Sequence, residues 1–171
     1  RGLVDLERHP RLKNYFEAHQ ERLRARHVGK KNDAAWFRTI DRVDASLTGK
    51  TKLYIADIKD RLVPVIDRGG TYPHHNLYFV QSAGWDPEVL GGLLLSDVAQ
   101  FFVECYAVRM RGGYLRFQAQ YLRRIRLPRP HDISASQPAA LRAAFNARDR
   151  VTVTAIALSL YRIDELPGEN S

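Results

Sequence analysis

An apolar segment between Val89 and Val108 constrains the fold of this chain more than any other feature. Just before it, Asp86 is suited to cap a helix, Pro87 to take the first position, and Glu88 to complement the positive helix end. Apolar side chains then recur at helical spacing, at Leu90, Leu94, Val98, Phe101 and Cys105. The pattern predicts one long helix that forms the buried spine of the domain, with Cys105 as a small core residue.

Other residues of this segment indicate its surroundings. Gly91 and Gly92 weaken the first helical turn by roughly 1 kcal/mol each relative to alanine, so we expect them to permit close packing against a sheet. Asp97, Gln100 and Glu104 interrupt the apolar run. These polar residues argue against a membrane-spanning helix.

The stretch that follows, residues 109–130, holds the densest positive charge. It contains seven arginines, and no Asp or Glu occurs between Cys105 and His131 to neutralise them. They are Arg109, Arg111, Arg116, Arg123, Arg124, Arg126 and Arg129. Gly112 and Gly113 can take positive φ and let backbone approach a ligand closely. With a net charge of +8 for the whole chain, a polyanion is the natural partner.

A second interpretation of the stretch remains open. The arginines then form a solvated face, while Tyr114, Phe117 and Tyr121 dock in the core. On this interpretation the stretch is a polar turn without a ligand. A membrane surface or an acidic protein is a further possible partner for so basic a chain.

Short β-branched or apolar runs upstream predict strands. Two of them, Lys52–Ile58 and Leu62–Ile66, form two strands or one bent strand, and a third covers Leu77–Gln81. Residues 69–73 have turn chemistry. Asp57 and Asp60 are a weak candidate pair of nuclease metal ligands, and solvation explains them better.

The loop before the third strand ends in His74, His75 and Asn76. These side chains offer donors and acceptors to base edges, and asparagine matches the bidentate pattern of adenine. The alternative is a polar turn that caps a hairpin. Adjacent side chains on an extended chain point in different directions, so we expect no shared metal.

Both ends of the chain are predicted to be helical. The first helix covers Pro10–His27, with a basic face that either follows a phosphate backbone or is solvated, and with His19 as a packed core histidine. Trp36 and Phe37 are expected to pack, with one of them partly exposed. Towards the end, a helix from residue 134 to 148 precedes one capped by Asp149, although residues 151–154 also alternate like a strand. Residues 166–171 are expected to be a frayed tail.

Several functional classes lack their sequence signals. We find no Gly-rich cofactor loop, Asn-Pro-Pro-aromatic step, phosphate-binding loop or Ser-centred elbow, so we expect no catalytic site within this chain. The single cysteine excludes an internal disulfide and suits a reducing cytoplasm. Because the 171-residue sequence begins with Arg1, we expect a domain of a longer protein.

The pattern Arg-Gly-Gly-Tyr-x-Arg-Phe-x-x-Gln-Tyr-Leu-x-x-Ile at 111–125, followed by Pro128 and Pro130, resembles the TaqI-like C-terminal specificity domain of DNA adenine methyltransferases. Similarity extends to the first helix, to residues 36–38 and 52–58, and to the helix at 90–102. It covers roughly residues 8–161, and the ordered set of segments carries it. The chain departs from the family at 94–96, where Leu-Leu-Ser replaces the common Leu-Asn-Ser.

This resemblance implies a domain that recognises a target site in double-stranded DNA for a covalently linked methyltransferase domain that uses S-adenosylmethionine. We therefore expect residues 1–171 to be one target recognition domain, with a helical segment 1–30, an α/β core 34–130 and C-terminal helices 134–163. The expected fold is α+β, with a small mixed or antiparallel sheet on a central helix. The expected setting is a bacterial restriction-modification or phage-defence system, in the cytoplasm and without a membrane. The alternative is a basic protein-interaction or scaffolding domain that binds an acidic partner.

The residue patterns and the resemblance together nominate the DNA-contacting residues. Arg42, beside Arg38, is also expected near the DNA. The nominated residues are Arg38, Lys52, His74, His75, Asn76, Arg109, Arg111, Gly112, Gly113, Tyr114, Arg116, Gln118 and Gln120. Replacing Arg111 or Arg116 by alanine is predicted to weaken binding and flatten its salt dependence.

Overall fold

The computed structural model describes residues 3–40 and 43–167. The chain divides into two compact units, residues 1–45 and 46–171. Arg42 lies outside the described residues, as do residues 168–171.

The first unit consists of short helices. They are the 3-10 helix Leu6–Arg8, α1 (Pro10–Ala18), α2 (Gln20–Arg24), α3 (His27–Lys31) and the 3-10 helix Asp33–Ala35. The prediction of one helix over Pro10–His27 is wrong, because His19 leaves the helical region at φ −114° and ψ 17°. His19 is exposed and meets the ring of Tyr15 edge-on at 4.7 Å. The prediction that His19 lies in the core is therefore also wrong.

Aromatic side chains hold the first unit together. Phe16 stacks on Phe37 with ring centroids 5.6 Å apart, and Trp36 meets Phe37 edge-on at 5.5 Å. The Arg24 guanidinium lies 5.2 Å from the Trp36 ring centroid, a cation–π contact. Trp36 is buried and Phe37 half-buried, which confirms that these two residues pack.

A three-stranded antiparallel sheet forms one layer of the second unit. Its strands are β1 (Lys52–Ala56), β3 (Val65–Asp67) and β4 (Leu77–Val80), and a separate pair joins β2 (Ile58–Lys59) to β5 (Leu115–Arg116). The central strand β1 pairs with both neighbours, so that Leu53 lies opposite Ile66 on one side and Val80 on the other. Leu62 is buried but lies outside any strand, so the predicted strand Leu62–Ile66 is too long.

The predicted spine consists of two helices rather than one. They are α4 (Pro87–Leu95) and α5 (Asp97–Glu104), and Asp86 caps α4 as expected. Ser96 takes an extended conformation between them, and its Oγ accepts a hydrogen bond from the Ala99 amide at 3.3 Å. Cys105 follows the end of α5 and is exposed. The predictions of a continuous helix and of a core cysteine are therefore wrong.

The remaining helices complete the second unit. They are α6 (Ala119–Leu122), α7 (Gln137–Ala147) and α8 (Arg150–Tyr161), with 3-10 helices at Ala45–Leu47 and Pro130–Asp132. Asp149 caps α8 by accepting a hydrogen bond from the Thr152 amide at 3.0 Å, which confirms the helix over the strand interpretation there. Leu166 is 7% exposed and packs with Val98 and Ala157. The prediction of a frayed tail is thus wrong for Leu166.

The two glycines of α4 face a helix. A Cβ on Gly91 would lie 2.7 Å from the Phe145 ring, and one on Gly92 would lie 3.0 Å from the Leu141 carbonyl oxygen. Phe145 and Leu141 belong to α7. The glycines permit close packing as expected, but against α7 and not against the sheet.

The fold class is confirmed as α+β, with small antiparallel sheets and helical segments at both ends. Helix α4 is central to the second unit, because it contacts β1, β3, α5, α7 and α8. No helix in the described part of the chain is long and apolar enough to cross a membrane.

Candidate DNA interface

The Arg-Gly-Gly segment forms the tip of a β-hairpin. Arg109 bridges Leu115 in antiparallel fashion, and the Met110 amide donates to the Tyr114 carbonyl at 2.7 Å. The Gly113 amide closes the turn by donating to the Met110 carbonyl at 3.2 Å. Because Gly112 and Gly113 have φ of 88° and 82°, the tip needs residues that tolerate the left-handed region. The expected positive φ is confirmed at both glycines.

Arg111 lies in this turn and is exposed. Its guanidinium has no hydrogen bond or ion pair with another residue in the described ranges 3–40 and 43–167. A two-stranded ribbon fits the major groove of B-DNA. The hairpin therefore presents a free cation on an element of the right size to contact a duplex.

Asp57 joins this hairpin to the His-His-Asn loop. Its backbone amide donates to the Asn76 carbonyl at 2.9 Å, and its carbonyl accepts from the Phe117 amide at 2.7 Å. Its carboxylate accepts two hydrogen bonds from Arg116, from Nε at 3.1 Å and from Nη2 at 2.7 Å. The structure thus brings together the two segments that were predicted separately to contact DNA.

Arg109 has a more loosely held partner. Its Nη2 lies 3.2 Å from Glu104 Oε2, and its side chain is 63% exposed. Glu104 in turn accepts from Gln100 Nε2 at 2.7 Å, and Gln100 Oε1 accepts from the Leu62 amide at 2.8 Å. The stretch itself contains no neutralising carboxylate, but Arg109 and Arg116 find carboxylate partners outside it.

The His-His-Asn loop lies at the surface. His74, His75 and Asn76 are all exposed, and the two imidazole centroids are 4.0 Å apart. The His74 carbonyl accepts from the Leu77 amide at 2.9 Å, which connects the loop to the start of β4. In the described ranges, no group of three or more His, Cys, Asp or Glu residues is arranged to hold a metal ion.

Side chains after the hairpin divide between surface and core. Tyr114 is 47% exposed, whereas Phe117 is fully buried. Gln120 is exposed and Gln118 is half-buried. The side-chain Nε2 of Gln120 donates to Gln118 Oε1 at 3.1 Å. The second interpretation of this stretch, in which its aromatic side chains dock in the core, is therefore correct for Phe117 and wrong for Tyr114.

Lys52 lies apart from the exposed residues. Its side chain is completely buried, and Nζ donates to the carbonyls of Leu47 at 2.8 Å and Lys50 at 3.1 Å and forms an ion pair with Asp67. Such burial conflicts with the prediction that Lys52 contacts DNA, because its ammonium is already fully occupied. Lys52 instead ties the residues before β1 to the edge strand β3.

Arg38 belongs to the first unit, where its side chain is exposed and its carbonyl accepts from Arg26 Nη2 at 3.1 Å. Sequence reasoning missed Glu104 as a partner of Arg109, and it considered Asp57 only as a weak metal-ligand candidate and not as the partner of Arg116. Arg116 and Asp57 are 59 positions apart in the sequence. No local pattern signals such a pair.

Comparison with known proteins fits this geometry. The family model of the TaqI-like C-terminal specificity domain matches residues 5–127, and the chain belongs to this family. It is 45% identical over 163 residues to the Type II methyltransferase M.XhoI of Xanthomonas vasicola, covering 95% of this chain and 30% of the relative. It is also 46% identical over 160 residues to the Type II methyltransferase M.PaeR7I of Pseudomonas aeruginosa, covering 94% of this chain and 28% of the relative. A third relative, the Type II methyltransferase M.BstVI of Geobacillus stearothermophilus, is 42% identical over 164 residues, and the match covers 96% of this chain and 29% of the relative. The chain therefore spans less than a third of each of these methyltransferases.

Proposed function

We propose that this chain is the part of a DNA adenine methyltransferase that recognises the target site in double-stranded DNA. The observation that carries the proposal is the junction at Asp57, which holds the Arg-Gly-Gly hairpin and the His-His-Asn loop side by side. Membership of a specificity-domain family and similarity to Type II methyltransferases support it. The host system is then a bacterial restriction-modification or related phage-defence system, and the protein works in the cytoplasm.

Recognition divides between phosphates and bases. Exposed cations such as Arg111 contact phosphates, which gives affinity and sets the register on the duplex. His74, His75 and Asn76 contact base edges in the major groove, with Gln118 and Gln120 beside the hairpin. Tyr114 adds an exposed aromatic face next to the glycines.

Methyl transfer belongs to a covalently linked methyltransferase domain. S-adenosylmethionine supplies the methyl group there, and the residues described above hold the DNA so that one adenine reaches that domain. This division of labour explains why the sequence contains no cofactor loop.

The test uses the full-length protein that contains this chain, expressed in a host without other DNA methylation. We expect N6-methyladenine at a single sequence motif when the genomic DNA is sequenced for modified bases. Methylation at cytosine, or none at any motif, contradicts the proposal. Tight association with an acidic protein together with indifference to DNA supports a protein-interaction domain instead.

The role of Arg111 is tested by measuring Kd of the full-length protein for target duplex at several salt concentrations. Arg111→Ala is expected to reduce the slope of log K against log salt by about 0.9, the value for one phosphate contact. The control is Arg162→Asn, which removes one charge at the end of α8, where φ is 57° and asparagine is tolerated. Equal slopes for wild type and Arg111→Ala overturn the phosphate assignment.

A further inference from the structure

Arg116 differs from the other arginines of residues 109–130 in being held by two hydrogen bonds to one carboxylate. Nε and Nη2 donate to the two oxygens of Asp57 at 3.1 and 2.7 Å. The Arg116 side chain is 33% exposed and that of Asp57 18%. The pair is thus partly shielded from solvent but still reaches the surface.

The backbone around the pair is fixed as well. Arg116 lies in β5, opposite Ile58 of β2, and the next residue, Phe117, is fully buried and donates its amide to the Asp57 carbonyl. The guanidinium is consequently fixed at both ends, by its strand and by its carboxylate. A donor that is already ordered loses little conformational entropy when it binds.

The Asp57 contact uses one edge of the guanidinium and leaves another free. A guanidinium has five N–H donors in a fixed planar fork. Asp57 takes the edge formed by Nε and Nη2, so that the edge formed by Nη1 and the second hydrogen of Nη2 remains. In the part of the chain that the structure describes, Nη1 has no hydrogen-bond partner.

The charge of the pair indicates which DNA group this free edge suits. Asp57 neutralises Arg116, and its carboxylate repels a phosphate brought to the same place. A pair of neutral hydrogen-bond acceptors on a base edge is not repelled by the Asp57 carboxylate in this way. In the major groove only guanine presents two acceptors, O6 and N7, at the spacing of an arginine fork.

We propose that Arg116, positioned by Asp57, reads a guanine in the target site through O6 and N7. The proposal rests on the proposed function and adds to it a base identity and a residue that determines specificity. Arg116 contacts the base, whereas Asp57 is a positioning residue that acts through Arg116. Arg111 and Arg116 therefore have different roles, although the sequence presents them alike.

The experiment uses the full-length protein and duplexes that carry its methylated motif, with each guanine in turn replaced by 7-deazaguanine, which lacks the N7 acceptor. We expect wild type to methylate one of these duplexes more slowly, by about fivefold, the lower end of the range of one bidentate base contact, because only one of the two acceptors is lost. The Arg116→Lys variant keeps the charge but lacks the planar fork of donors, so it is expected to methylate that duplex and the unmodified one at the same rate. Its salt slope is expected to equal that of wild type.

Asp57→Asn provides an independent variant. It releases the Arg116 guanidinium and removes the neutralising charge. We expect weaker discrimination at the same guanine and a steeper salt dependence, because an unpaired arginine becomes available to phosphates. The matched control is Glu88→Gln, which removes the carboxylate partner of Arg68 outside the candidate interface and is expected to leave discrimination at every guanine unchanged.

Three outcomes overturn the inference. The first is that wild type is insensitive to 7-deazaguanine at every position. The second is that the Arg116→Lys variant discriminates against 7-deazaguanine as wild type does. The third is that this variant binds all of the duplexes more weakly by the same factor and has a flatter salt slope. Thermal unfolding of each variant shows whether it is folded, and the wild-type 7-deazaguanine series needs no variant. Failure of the proposed function is distinct, because wild type then methylates cytosine or shows no preferred motif at all.

Discussion

Lys52 carries a charge within the interior and depends on Asp67 to keep it. Burial is the largest single influence and lowers the pKa of Lys52, but the hydrogen bonds and charges of Asp67 and Tyr54 together outweigh it and raise that pKa. In the same pair, the hydrogen bond from Lys52 lowers the pKa of Asp67. Each partner thus stabilises the charged form of the other, and both contribute to the stability of the fold between their titrations.

Replacing Lys52 by methionine keeps the volume but leaves Asp67 and two carbonyls without their donor. We expect Tm to fall by roughly 10 °C at neutral pH, because breaking a buried pair leaves an uncompensated charge. The exposed Lys50 provides the control, and the Lys50→Met variant is expected to have the same Tm as wild type. Thermal unfolding followed by circular dichroism measures both variants, and equal Tm values for them contradict the prediction.

The stability difference between wild type and the Lys52→Met variant depends on pH with a defined sign. The contribution of Asp67 is present above its unfolded pKa of about 3.9 and is lost as pH falls through its lowered folded pKa. The contribution of Lys52 is present below its unfolded pKa of about 10.4 and is lost as pH rises through its raised folded pKa. The stability of wild type should therefore exceed that of the Lys52→Met variant by the largest amount between about pH 5 and pH 10. A stability difference that stays constant down to about pH 2 contradicts the account.

At the scale of elements, the contact between α4 and α7 depends on the absence of a side chain. Gly91→Ala gains about 1 kcal/mol of helix propensity, but its Cβ collides with the ring of Phe145, and such overpacking costs roughly 1–3 kcal/mol. Because Phe145 is 1% exposed, its ring has no solvent space to move into. We expect a net loss of about 1 kcal/mol in the free energy of unfolding, measured by urea titration.

Gly84 supplies the control for this prediction. A Cβ there meets no atom within 4 Å, so Gly84→Ala is expected to change the free energy of unfolding by at most about 0.5 kcal/mol. A urea midpoint for Gly91→Ala at or above that of Gly84→Ala refutes the packing argument.

The same elements show what periodicity predicts and what it misses. The capping residues predict the start of α4 at Asp86 and Pro87, and the apolar spacing predicts the helical nature of residues 97–104. It missed the break at Ser96, because the apolar stripe continues across it. The break depends in part on a distant residue, since the Asp97 amide donates to Thr154 Oγ1 of α8 at 2.9 Å.

The candidate interface shows the same limit. The glycines of the hairpin were predictable, because positive φ is a local property of residue type. The pairing of Arg116 with Asp57 was not, because it depends on how β2 and β5 meet in space. Lys52 was misplaced for a related reason, since its burial depends on Asp67 and on carbonyls that only the fold brings near.

At the scale of the whole molecule, both clusters of buried apolar residues in the described ranges lie within the second unit. Every residue of its two buried clusters comes from positions between Leu53 and Leu166. Residues 46–171 are therefore expected to fold without residues 1–45 and to unfold in one cooperative transition. Trp85 is then the only tryptophan, so its fluorescence and far-ultraviolet circular dichroism can be followed together in urea. Transitions that do not coincide contradict this expectation.

The junction at Asp57 also limits how the domain can be altered to accept another target. Grafting the His-His-Asn loop alone from a relative changes the backbone that Asp57 holds, and grafting the hairpin alone removes the arginine that its carboxylate orients. A chimera should therefore exchange Asp57, β2, β5 and both loops as one cassette. The structure makes this cassette, rather than the single residue, the unit in which new sequence preferences can be transplanted.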